Sequence, residues 1–259
     1  MINDITLGQY YACNSIVHRL DPRTKIRFVI AYIFLLIWDS NIPMFATMTG
    51  ILFITLIIAK IPVRYILKGT GGLFVFILVC SAINIFTTHG TAIVEIGFIK
   101  ITVEGIIKCG YSVWRLALMV IMASMLMYTT TPSRLTDGLE KGFLLNANVA
   151  MAITIGLRFI PVLFEELDRI IKAQTVRGAN IKTAKLKEKI TIVKNIIIPL
   201  FQNAINRASK IGEAMDARCY TGGNGRTKLY PLKYSPADLV IHLLCLCMIV
   251  GEIVLIVKY

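Results

Sequence analysis

Two six-residue segments, Ala173-Gln174-Thr175-Val176-Arg177-Gly178 and Ala214-Met215-Asp216-Ala217-Arg218-Cys219, share the pattern Ala-x-x-apolar-Arg-small. An arginine presents a planar fork of N–H donors that binds carboxylates and carbonyls on another surface. Repeated in one sequence frame, it is a candidate gripping device. Each arginine also has a plainer use, because a cation in the last turn of a helix complements the macrodipole by ~0.3–1 kcal/mol and Gly178 is an ordinary helix stop. Two copies of one pattern favour docking over two coincidental caps.

The other chemistry-bearing residues form no reactive constellation. Glu165, Glu166 and Asp168 read as a solvated helix face, and no G-x-S-x-G nucleophile turn occurs, so no catalytic residue is expected. The six cysteines (13, 80, 109, 219, 245, 247) include no C-x-x-C and read as free thiols. His18, His89 and His242 are isolated and no H-E-x-x-H is present, so no metal site is expected. The stretch Gly222-Gly223-Asn224-Gly225-Arg226-Thr227-Lys228 lacks G-x-x-x-x-G-K-[ST] spacing and reads as a turn. The chain itself should bind neither ATP nor another cofactor.

The elements that must position the arginines belong to a polytopic membrane protein. Of 259 residues 56% are hydrophobic and the mean hydropathy is +0.70, with several apolar stretches near the ~20 residues that cross a bilayer. Five spans are expected, near Ile26–Ser40, Ile42–Ala59, Gly71–Thr88, Ile106–Tyr128 and Leu239–Val257. The first lacks a cleavage site and should be retained. A tight turn at Asn41-Ile42-Pro43 joins the first two, and Ile96 to Val103 reads as a short extended excursion. Of the 28 Lys and Arg residues, 24 fall near the N-terminus (Arg19, Arg23, Lys25 and Arg27), between spans two and three, or in Thr131 to Ser235. The positive-inside rule puts those segments and the N-terminus in the cytoplasm and the C-terminus outside. The net charge of +13 is thus a topology signal, and nucleic-acid binding is disfavoured. Three regions follow: residues 1–130 with four spans, 131–235 cytoplasmic, and 236–259 a last span.

Within 131–235, Asn148 to Phe164 is apolar but carries Arg158 and Pro161, and reads as an amphipathic helix at the membrane surface ending near Gly178. Glu165–Arg169 and Asp168–Lys172 sit four apart on its wet side. A second helix places Ile197, Phe201, Ala204, Ala208, Ile211 and Met215 in steps of four and three, a seam for another helix, against Gln202, Asn203, Asn206, Arg207, Lys210 and Glu213. Pro161 and Pro199 would kink the two, which would form a crossed pair. The fold expected is therefore all-α, five spans plus two long kinked amphipathic helices. Arg115 and Glu252 fall in spans four and five at depths of roughly 14 and 8 Å from the outer ends, a candidate ion pair, with separate snorkelling as the alternative.

Over almost its whole length the chain resembles the transmembrane T component of energy-coupling factor (ECF) transporters. The likeness rests on Ser15-Ile16-Val17-His18-Arg19-Leu20-Asp21-Pro22-Arg23-Thr24-Lys25, Thr129-Thr130-Thr131-Pro132 and Leu135-Thr136-Asp137-Gly138-Leu139-Glu140. It continues through Leu157-Arg158-Phe159-Ile160-Pro161, the two arginine segments, Tyr220, and Gly222 to Thr227. The resemblance implies a non-catalytic scaffold that joins two ATP-binding cassette ATPases, which hold ATP and Mg, to a substrate-binding membrane S component for vitamin or micronutrient uptake. It implies that Val176-Arg177-Gly178 and Ala217-Arg218-Cys219 are the ATPase-docking motifs, Val176 standing where the family often has alanine. The ending through Tyr220 and the glycines is similar to the shared type that serves interchangeable S components. A component dedicated to one substrate, such as a transition-metal ion, is the alternative. A stand-alone secondary transporter is less favoured, since four spans, a long insert and one span offer no inverted repeat.

Overall fold

The structure, a computed structural model, describes residues 10–11, 13–38, 42–87, 92–96, 99–143, 145–179, 185–222 and 231–258. In chain order it runs α1 (Ile16–Arg19), α2 (Pro22–Trp38), α3 (Ile42–Ala59), α4 (Val63–Thr87), β1 (Ala92–Ile96), β2 (Ile99–Thr102), α5 (Val103–Thr129), α6 (Pro132–Gly142), α7 (Ala147–Val176), α8 (Leu186–Asp216) and α9 (Pro236–Lys258). The chain divides into two compact units, one holding Leu139–Pro231 and the other Gly8–Gly138 with Leu232–Tyr259.

Local chemistry sets the helix starts. Proline opens α2, α6 and α9, where its missing N–H is one that no helix would bond and its φ is already helical. The Thr102 hydroxyl accepts the Gly105 amide at 3.2 Å to cap α5, and Asn146 Oδ1 accepts the Asn148 amide at 3.2 Å to cap α7. At α8 the Glu188 carboxylate reaches back to the Lys185 amide at 3.1 Å.

The unit of α1–α5 and α9 has its core where α2, α3 and α5 meet, around Val29, Tyr32 and Leu36, Met48 and Leu52, and Leu118, Met122 and Met125. Tyr32 is fully buried and its hydroxyl donates to the Met48 carbonyl at 3.0 Å, so the one polar atom of that ring is satisfied. The extended excursion is an antiparallel hairpin, with Glu95 opposite Lys100, Ile96 opposite Ile99 and an irregularity between Ala92 and Val94.

In the other unit α7 and α8 pack antiparallel. Asn203 donates to Glu166 at 2.9 Å, the Arg207 guanidinium lies 5.9 Å from the centre of the Phe159 ring, and Gly222 comes close to Asn148. Pro161 and Pro199 lie inside unbroken helices of 30 and 31 residues.

Several expectations change. The helix that holds the third expected span, α4, begins at Val63 rather than Gly71, taking in Arg64. Among the described residues two helices are long and apolar enough to cross a membrane, α5 and α7, with shorter apolar stretches at Phe45–Ala59, Gly69–Asn84 and Pro236–Gly251. The α7 stretch is the one the sequence assigned to the membrane surface; its helix continues through Arg158 and Pro161, and its length and composition fit a surface helix as well as a crossing one. The seam expected on α8 is covered only in part, with Ala204, Ile211 and Met215 half-buried. Asn203 and Arg207, placed on the wet side by periodicity, face α7, whereas Ile197 and Phe201 are 55% and 66% exposed and Ala208 is exposed. Periodicity finds an apolar stripe but does not say what covers it. Asn41, His89, Gly223 to Thr227 and the Glu252 side chain lie outside the described residues, and with them the Asn41 turn, the glycine run and the Arg115–Glu252 pair. The architecture is that of an all-α membrane protein with one small hairpin.

Gly138 of α6 marks a tight joint: a Cβ there would meet Pro22 Cβ at 2.9 Å and Ile26 Cδ1 at 3.1 Å. Proline cannot yield, so Gly138→Ala should destabilise the chain by about 1–3 kcal/mol through overpacking. Gly110→Ala, which meets nothing within 4 Å, should leave the melting temperature in detergent unchanged or raise it.

Candidate functional site

The two arginine segments end α7 and α8 in the same way. At the first, the Ala179 amide bonds the Gln174 carbonyl at 3.0 Å and the Gly178 amide bonds the Thr175 carbonyl at 3.0 Å, with Gly178 at φ +91°. At the second, the Tyr220 amide bonds the Met215 carbonyl at 3.0 Å and the Cys219 amide bonds the Asp216 carbonyl at 2.9 Å, with Cys219 at φ +55°. Each is a Schellman termination, with the arginine as the last residue before a left-handed one. The sequence match of residue 177 with 218 and 178 with 219 is therefore a match of conformation.

This geometry decides what the arginines can do. Backbone amides satisfy the final carbonyls, so neither guanidinium is required as a cap. Arg177 and Arg218 are both exposed, as are Val176, Gly178, Ala217 and Cys219. Among the described residues neither arginine side chain has an ion-pair or hydrogen-bond partner. The structure does not bring the two together. Arg177 lines a cleft of about 1000 Å³ with Glu188, Ile192 and Asn195 at the start of α8, whereas Arg218 follows the far end of that helix. At 1.5 Å per residue their separation along α8 is roughly 40 Å. Two sites that far apart suit two separate grooves.

A buried polar node sits in the other unit, at the polar ends of α2, α5 and α9. Lys25, 6% exposed, donates to the Thr129 carbonyl at 2.9 Å, the Thr130 hydroxyl at 3.3 Å and the His18 carbonyl at 3.4 Å. All three of its protons are thereby used. Asp238, 1% exposed, accepts the Asp21 amide at 3.0 Å and the Ser235 amide at 2.7 Å, tying the start of α2 to the start of α9. Asp21 in turn accepts the Arg23 amide at 2.9 Å, and the Arg23 guanidinium stacks 5.2 Å from the Tyr234 ring centre. The sequence reading quoted the Ser15–Lys25 and Thr129–Pro132 segments but passed over Asp238. The signal was available in Ser235-Pro236-Ala237-Asp238, a capping-box spacing ahead of an apolar run.

His18 closes the node. Its Nε2 lies 2.9 Å from the Tyr11 carbonyl, which can only accept, so Nε2 carries the proton and Nδ1 accepts from the Ser15 hydroxyl at 2.7 Å. Burial pushes its pKa below the ordinary value, the Tyr11 carbonyl opposes this, and the Lys25 charge reinforces it.

Comparison with known proteins now decides the family. The family model described as cobalt transport protein, CbiQ, matches residues 13–229. The chain belongs to the T-component family of energy-coupling factor transporters. It is 40% identical over 258 residues to the energy-coupling factor transporter transmembrane protein EcfT of Acidaminococcus fermentans, covering 96% of each chain. It is 39% identical to the protein of that name from Ruminiclostridium cellulolyticum (93% of each) and 33% identical to that of Bacillus subtilis (92% of this chain, 93% of the relative). The T component is a transmembrane transporter subunit, and both arginine segments fall inside the family match.

Two measurements test the geometry. Gly178→Ala places a side chain at positive φ and should cost about 1 kcal/mol, whereas Cys219→Gly should relieve a similar strain. Amide exchange at Ala179 should quicken in the first variant and that at Tyr220 should slow in the second. For His18 the unfolded chain binds the proton more readily than the folded one. Its neutral form therefore contributes stability above the unfolded pKa of about 6.5 that is lost as pH falls through the lower folded value. The melting temperature should drop between about pH 7 and about pH 5, and His18→Gln should flatten that dependence.

Proposed function

We propose that the chain is the scaffold through which two ATP-binding cassette ATPases drive a substrate-binding S component for vitamin or micronutrient uptake. The observation that carries the reading is the pair of identical terminations, each offering an exposed arginine at opposite ends of one antiparallel helix pair. A groove with carboxylates or carbonyls on each ATPase would receive the Val176-Arg177-Gly178 end or the Ala217-Arg218-Cys219 end. The names of the relatives, transmembrane proteins of energy-coupling factor transporters, support the same reading. ATP and Mg belong to the ATPases in this account, and the N-terminus and both helix ends lie in the cytoplasm, on the side where basic residues concentrate.

The exposed stripe Ile190, Val193, Ile197, Phe201 and Ile205 on α8 has the spacing of a helix-docking face. We assign it to the S component, whose exchange an adaptable apolar surface would permit. The description of the family model favours a second reading, in which the chain serves one metal-transporting S component. Pull-down against S components for several vitamins and for cobalt separates the two readings.

The docking role is tested by Arg177→Ala, Arg218→Ala and the double variant, assembled with both ATPases and one S component. A charge-assisted hydrogen bond contributes about 1.5–3 kcal/mol, so each single change should weaken retention of ATPase roughly tenfold or more, and the double change should abolish ATP-driven uptake. Expression and membrane insertion should be unaffected. Wild-type uptake by the double variant would refute gripping by these residues.

A further inference from the structure

We infer that the unit built on α2, α3, α5 and α9 binds one anionic phospholipid, its phosphate in a basic pocket at the polar helix ends and an acyl chain in the adjoining apolar cavity.

The site has two halves that share Leu20, Lys25 and Thr129 as their common wall. The smaller, about 180 Å³, is lined by polar groups that include Tyr10, Thr130, Thr131 and Arg134. It holds two cations, Lys25 and Arg134, which act on each other electrostatically, and among the described residues no carboxylate lines it. Asp21 and Asp238 offset the Lys25 charge in part from outside the pocket, and their carboxylates accept from backbone amides as described. Arg134 is exposed and forms no ion pair among the described residues. A phosphate would relieve the repulsion between the two cations and accept hydrogen bonds from Arg134 and the threonine hydroxyls.

The larger half, about 340 Å³, is walled almost wholly by aliphatic side chains. Its lining runs from Ile58 to Ile51 on α3, from Thr129 to Met122 on α5 and from Ala237 to Leu244 on α9. On each helix this is a descent of roughly 10 Å from the polar end, against ~15 Å of hydrocarbon in one leaflet. Ile54, Ile58 and Val240 are exposed, so the cavity opens at the protein surface. A charged pocket at the end of a span, continuous with an apolar slot that follows the helices inward, matches the amphipathy of a phospholipid. It matches neither a free anion nor a soluble apolar ligand. The basic residues that flank it are those that concentrate anionic lipid at a cytoplasmic leaflet.

The test uses the full chain in a neutral detergent. It is titrated with phosphatidylglycerol, with phosphatidylcholine of the same acyl chains, or with inorganic phosphate, and bound lipid is counted by native mass spectrometry alongside the melting temperature. One phosphatidylglycerol should be retained and raise the melting temperature, with phosphatidylcholine at least about tenfold weaker. Arg134→Ala should remove most of that preference. Ala237→Leu, which fills the slot without touching the cations, should lose the bound lipid while leaving the lipid-free melting temperature at or above that of the wild type. Equal binding of the two lipids, or a full stabilisation by inorganic phosphate alone, would overturn the inference. If Arg134→Ala does not fold, the lipid comparison on the wild type and Ala237→Leu still decide it.

Discussion

An α-helix cannot end without finding partners for its last carbonyls, and in this chain that requirement fixes how the functional side chains are shown. Both long helices of the Leu139–Pro231 unit meet it with backbone amides and a left-handed residue, Gly178 in one and Cys219 in the other. The arginine just before is thereby relieved of capping. Its long side chain is left exposed at the helix end, next to a left-handed residue. A cysteine in that conformation costs about 1 kcal/mol relative to glycine. Nothing else in the structure explains the choice of cysteine at position 219.

The two ends are held apart by α7 and α8, which meet around Glu166 and Asn203 and around Phe159 and Arg207. These contacts are partly polar, and the aliphatic stripe of α8 remains exposed. In the proposed role, holding a pair of ATPases and meeting a separate membrane protein would call for apolar surface on the outside. In the other unit the same logic runs in reverse. Polar groups at the helix ends are drawn inward, with Lys25, Asp238 and His18 satisfied by one another's neighbours, so that α1, α2, α5 and α9 meet in one place. Each buried polar atom left without its partner would cost about 1–3 kcal/mol, which makes such a node specific as well as stable.

How much of this the sequence shows depends on how local the cause is. Apolar length is local, so the helical class, an extended segment at Ile96 to Val103 and the ends of α5 and α9 were legible within a few residues, whereas the pairing of that segment with Ala92–Ile96 was not. The matched arginine segments were legible as a pattern, but their identical terminations were not, because cysteine is a poor signal for positive φ. The covered face of α8 was legible at Ala204, Ile211 and Met215 but not at Ile197 and Phe201, which advertise burial and are exposed, nor at Asn203 and Arg207, which reach α7. Which stripe is covered depends on a partner helix many residues away. Asp238 was missed for the same reason in miniature: its capping role is local, but its bond to the Asp21 amide spans most of the chain.

The central claim is that the two arginine ends occupy two different ATPase subunits. Photo-crosslinkers placed at Val176 and, separately, at Ala217 in the assembled transporter, with the ATPases distinguishable by mass, test it most directly. Each position should capture one ATPase subunit, and the two positions should capture different ones. Capture of the same subunit from both positions, or of neither, would contradict the account.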